Sequence, residues 1–94
     1  MATYAQRTTF TVSQTVAPAS VAAATVAEQT FTVAGLKVGD HVTVNAGAIT
    51  NAVGIGNARV SAADTLAVQF INPTAGALVP TSTTWSIKAF RAVR

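Results

Sequence analysis

A chain of 94 residues with six lysines and arginines against three aspartates and glutamates is long enough for one modest core and no more. Half of its residues are hydrophobic, yet only 6% are aromatic and 10% charged. Ordinary soluble domains carry about a quarter charged residues, so a good part of this surface is expected to be covered by neighbours. The lack of cysteine excludes disulfides and thiolate metal sites. The basic residues form no run and no stripe interleaved with aromatics, so no nucleic-acid partner is expected.

Residues 1–7 read as a short N-terminal arm with Tyr4 as its large side chain. No basic region followed by an apolar stretch marks an export signal there. The apolar runs are broken by Thr, Ser, Gly and Asn well short of the ~20 residues of a membrane span, so the chain is expected to be soluble, with no membrane partner. Residues 8–13 alternate, Phe10 and Val12 on one face and Thr9 and Thr11 on the other, which predicts a first strand. Pro18 then interrupts any ladder.

Residues 21–29 admit two readings. The alanine-rich run from Val21 to Glu28 has high helix propensity, and Ser20 is placed to cap it. Against that, no Gly or Pro stops a helix before Thr30, which favours a bend followed by one long strand over 25–33. The stretch from Thr30 to Asn45 organises the chain. Phe31 and Val33 alternate with threonines, and Val42 and Val44 alternate with His41 and Thr43. Two half-buried strands are predicted, joined by a turn region in which Gly35 and Gly39 supply positive φ, Asp40 bonds local backbone, and Leu36 and Val38 pin the loop to the core.

Residues 46–57 are small, glycine-rich and uncharged and read as a long loop, with Ile49, Val53 and Ile55 tucked beneath it or meeting a partner. A strand resumes at 58–61, Ala58 and Val60 facing one way and Arg59 the other. A turn at 62–64 leads into the best strand in the chain, 65–72. Leu66, Val68 and Phe70 share one face there. The other face, with Ala67 and Ile71, is also apolar, as a central strand covered on both sides requires. Asn72-Pro73 ends it. A second loop at 74–83 precedes a closing strand at 84–92, with Trp85, Ile87 and Ala89 on one side. The outcome is an all-β fold: a single small antiparallel β-sandwich or barrel of six to seven strands over 8–94. The strands at 8–13 and 84–92 are expected to be edges and hence the joining surfaces.

Catalytic chemistry finds little footing. His41 follows Asp40, but neighbours in a strand point to opposite faces, and no serine is placed as a nucleophile. Glu28, Asp40 and Asp64 follow one another at 12 and 24 positions in a chain with no other carboxylate side chain, which does not make a calcium loop. Gly54-Ile55-Gly56 lacks the lysine spacing and helix of a phosphate loop. Trp85 has two readings, a sugar-stacking platform or core, and core is the better one. No enzymatic activity, cofactor or metal is expected.

With these strands in place, two stretches resemble a small β-domain of tailed-bacteriophage virion proteins. One is Ser20-Val21-Ala22-Ala23 with Glu28-Gln29-Thr30-Phe31-Thr32-Val33-Ala34-Gly35-Leu36-Lys37-Val38-Gly39-Asp40-His41-Val42. The other runs from Arg59-Val60-Ser61-Ala62-Ala63-Asp64-Thr65 to Asn72-Pro73-Thr74-Ala75. The likeness covers about 20–88 and rests on glycine turns, a Gly-Asp strand entrance and an Asn-Pro strand exit. A domain of this kind standing nearly alone is similar to capsid decoration, or cement, proteins. The resemblance implies a virion structural role on the exterior of the mature head, synthesis in the host bacterial cytoplasm, the major capsid protein as partner, and assembly as a homotrimer. It carries no catalytic residue. Tyr4, Arg7, Phe10, Arg91 and Arg94 are the candidate capsid or subunit contacts. A tail or head-fibre component touching host glycan is the alternative.

Overall fold

The computed structural model describes residues 6–47 and 52–93, with side chains over 9–47 and 52–91. Six strands build it: β1 (Gln6–Val16), β2 (Thr25–Thr32), β3 (His41–Ala46), β4 (Gly54–Ala62), β5 (Thr65–Asn72) and β6 (Thr83–Val93). All pairings are antiparallel, in two three-stranded sheets of order β1-β6-β3 and β2-β5-β4. The architecture is the expected all-β sandwich; among the described residues no helix occurs.

The alternation of apolar and polar residues is what closes the two layers on each other. Leu66, Val68 and Phe70 of β5 and Trp85, Ile87 and Ala89 of β6 are all essentially inaccessible to solvent. These are the two central strands, so the core lies between them. At its middle three aromatic rings meet. Phe31 and Phe70 stand edge to face at 6.3 Å, and Trp85 lies 6.2 Å and 6.1 Å from them. Offset and edge contacts of this kind add to the apolar area that the rings remove from water. Trp85 is thus core.

Three expectations about boundaries need correction, and one open reading is decided. The first strand is not confined to 8–13: its ladder with β6 runs without irregularity from Gln6 to Val16, because β6 supplies eleven consecutive partners. Gln6 and Arg7 of the expected arm therefore belong to β1, and residues 1–5 lie outside the described residues. The stretch 21–24 forms neither helix nor strand. It turns through Ala24, at φ 50°, into β2, so the reading as bend and then strand is the one observed.

The loop expected over 46–57 ends early, since Gly54 already pairs with Ile71. Ile55 faces Phe70 and Asn57 faces Gln69, leaving Gly56 as the extra residue of a β-bulge. A Cβ there would sit 2.5 Å from Gln69 Oε1 and 3.1 Å from Ile71 Cδ1, so a larger residue would require these side-chain ends to move aside. Val53, just before this strand, is buried in the core; Ile49 lies outside the described residues. Finally, β6 is not an edge. It pairs with β1 on one side and β3 on the other, because the returning chain fills the gap between them.

Candidate functional site

Among the described residues the side-chain hydrogen bonds gather chiefly in three clusters, two where a strand end meets a turn and one across the outer face of a sheet. The first caps one end of the core. Arg91 lies opposite Thr8 in β6, two residues beyond Ala89, so alternation turns it to the core side of its sheet. Its guanidinium donates to both carboxylate oxygens of Asp40, at 2.8 and 2.7 Å, and to the Gly35 carbonyl at 2.9 Å. It also stands 5.4 Å from the centre of the Phe10 ring, a cation–π distance.

Asp40 in turn closes the loop before β3. Its Oδ2 accepts from the Lys37 amide, its own amide donates to the Lys37 carbonyl, and Gly39 between them has φ +98°. A side chain at that φ would be strained, hence glycine. The Asp40 side chain is 2% exposed. The Arg91 guanidinium beside it holds its carboxyl below the usual carboxylate value; burial acts the other way, and the Lys37 amide adds to the lowering.

A carboxyl with a lowered folded-state pKa stabilises the fold above its unfolded value, ~4, and loses that contribution as pH falls through the folded one. Melting temperature is therefore expected to hold near neutral pH and to fall below about pH 4. The Asp40→Asn variant, melted over the same pH series, should start lower and lose part of the acid-limb slope. An unchanged slope would remove Asp40 from the account.

The second cluster holds the opposite end. Asn72, the last residue of β5, is 1% exposed. Its Nδ2 donates to the carbonyls of Val21, Ala22 and Gly76 at 2.9–3.1 Å. Its Oδ1 accepts from the Thr74 amide at 3.0 Å and the Thr74 hydroxyl at 2.7 Å. Beside it Val21 and Leu78 exchange both backbone hydrogen bonds, at 2.7 and 3.0 Å. Gln29 does similar work for the segment before Val21, its amide pairing with both the N–H and the C=O of Ala19 at 2.8 Å. Two irregular connections are thereby stitched to the strands.

The third cluster lies on the outer face of the β2-β5-β4 sheet. Arg59 of β4 reaches Glu28 of β2 with two hydrogen bonds of 2.9 and 2.8 Å. The strand between them is β5, where Ala67 is level with Arg59 and Gln69 with Glu28. The pair therefore crosses above Ala67, whose small side chain leaves the passage open and is fully covered. Exposed on both sides, the pair adds little stability. Further along the same face Val26 and Ile71 are register partners, 54% and 37% exposed.

The expected contact residues are dispersed. Phe10 is half-buried against the core, and Arg91 is tied into the first cluster. Arg7 occupies a register position in β1 opposite Ala92. Tyr4 and Arg94 lie outside the described residues. His41 is exposed at the start of β3. All three carboxylates are occupied inside the fold: Glu28 by Arg59, Asp40 by Arg91, and Asp64 by the Gly35 amide at 2.8 Å. Among the described residues no three His, Asp or Glu side chains gather where they would hold a metal ion.

Sequence reasoning missed Asn72 as a structural hub and Arg91 as the partner of Asp40. A signal existed for Arg91, since i, i+2 alternation from Trp85 puts it on the apolar face, where a charge requires a partner. Asn72 is likewise on the inner face of β5, two residues after Phe70. Comparison with family models, with characterised proteins and with solved structures finds no match to this chain.

Proposed function

We propose that the chain is a structural protein of a tailed-bacteriophage virion, a decoration protein bound to the outside of the mature head through the major capsid protein. The observation that supports this reading best is the way its charges are spent. Every carboxylate side chain is used within the fold, and the strand faces turned outward carry chiefly threonine and serine, with Lys88 as their exposed unpaired charge among the described residues and the exposed Val26 and Ile71 side by side. A surface so poor in unpaired charge suits lasting contact with other protein better than free diffusion. The resemblance through the glycine turns, the Gly39-Asp40 strand entrance and the Asn72-Pro73 exit adds the virion context. Stabilisation would come from many copies, each holding adjacent capsid subunits by a modest contact.

The test is co-sedimentation of the purified chain with mature capsids that lack it, with immature shells as control. Saturable binding to the mature form alone is expected. Removal of residues 1–5, which leaves the β1 ladder whole, should lower occupancy without changing the melting temperature. Binding to neither shell would overturn the proposal and turn attention to the tail or a fibre. Trp85 would not be the glycan contact there, being fully buried.

A further inference from the structure

Sheet edges are where this fold is open, and its four edges are not alike. The β4 edge is broken by two register irregularities, at 55/57 and 60/62. The β3 edge is six residues long, and β3 lies against β4 across the sandwich. The β2 edge carries Glu28, and the Thr32 carbonyl there already accepts from Gln14 Nε2 at 3.0 Å. Bulges, charge, shortness and cover are the devices by which proteins blunt an edge against pairing.

The β1 edge is the least protected over its eleven residues, with neither bulge nor shortness and a single charge one residue from its end. Its register is unbroken from Gln6 to Val16, its one charged residue is Arg7, and it contains no proline. Its alternate N–H and C=O groups point away from β6. Among the described residues no backbone hydrogen bond outside the ladders reaches them. Phe10 and Val12, on the core side of this strand, are only half-buried.

We infer that β1 is a self-association edge, pairing antiparallel with β1 of a second copy about a two-fold axis at Thr11. A two-fold axis normal to the sheet keeps the core face of one copy continuous with that of the other. Full overlap of the strand then places Thr11 opposite the second copy's Thr11, Thr9 opposite Ser13, Phe10 opposite Val12 and Arg7 opposite Thr15. No like charges meet. The outer face gains a row of hydroxyl pairs and the inner face an aromatic paired with a β-branched residue, both favourable across strands. The two three-stranded sheets become one of six strands, and the exposed backbone groups at the centre are satisfied. The product is a dimer rather than the trimer that the family likeness implies. The pairing does not depend on capsid binding.

The test is made on the free chain in solution. Light scattering across a concentration series should show a monomer–dimer equilibrium. Thr11 is exposed, so Thr11→Lys and Thr11→Glu should each fold, with wild-type circular dichroism. Each should raise the dissociation constant at least tenfold, through like charges meeting at the axis, and an equimolar mixture of the two should restore the dimer. In this cysteine-free chain, Thr11→Cys should cross-link to a covalent dimer under copper-phenanthroline oxidation. Thr9→Cys should not, its second copy lying ~13 Å along the strand. A monomer at all concentrations, a trimer, or a dimer indifferent to charge at position 11 would each overturn the inference.

Discussion

Replacing Asn72 with alanine is expected to lower the free energy of unfolding by about 3 kcal/mol, more than any other polar substitution in the chain. The side chain is buried and makes five hydrogen bonds. Some groups it serves keep a second partner: the Val21 carbonyl still accepts from the Leu78 amide, and the Gly76 carbonyl from the Thr74 hydroxyl. The Ala22 carbonyl and the Thr74 amide lose the side-chain partner described for them, and the connections at 18–24 and 73–78 lose their common anchor. For a domain of this size the loss corresponds to a fall in melting temperature of roughly 15 °C.

Asn72→Asp sharpens the test because it preserves shape. It keeps an oxygen for Thr74 but turns a second oxygen toward three carbonyls, so the carboxyl folds well only when protonated. Its folded pKa would be raised, and the penalty grows as pH rises above ~4. The variant should therefore recover relative to the wild type in acid, opposite in sign to the Asp40 effect. Thermal melts of both variants between pH 3 and 7 check this; a melting temperature for Asn72→Ala within 3 °C of the wild type would refute the hub.

Trp85→Ala is expected to cost about 4 kcal/mol, a large fraction of the stability of a 94-residue domain. The indole is fully buried between Phe31 and Phe70 at the point where the two central strands face each other. Its removal leaves a void that rigid neighbours do not refill. The ring also carries a polar group: Nε1 is buried with no hydrogen-bond partner among the described residues. Trp85→Phe removes that unsatisfied donor together with part of the ring, so its cost should be much smaller, about 1–2 kcal/mol. Denaturant titrations of the three proteins by circular dichroism give the order. In the wild type the single tryptophan reports directly: its emission should be blue-shifted when folded and move to the red in one step on unfolding.

The alternation in 65–72 and 84–92 was enough to determine the core and the class of fold. Leu66, Val68, Phe70, Trp85, Ile87 and Ala89 fall on inner faces because successive strand residues point to opposite sides, a local rule that needs no knowledge of neighbours. Turn chemistry was legible for the same reason. Gly35 and Gly39 take positive φ, Asp40 bonds the backbone three residues away, and Leu36 is buried, but Val38, expected to pin the loop as well, is exposed.

Partnership across the chain was decided by the tertiary structure alone. That β6 lies between β1 and β3, that Gly56 is a bulge rather than part of a loop, and that Asn72 gathers carbonyls from residues 50 and 51 positions away depend on which strand lies beside which. Sequence spacing carries no such information. Period-2 patterning assigns a residue to a face, but strand order comes from the competition of all six strands for hydrogen-bonding edges and buried area. That competition left β1 with one side unpaired.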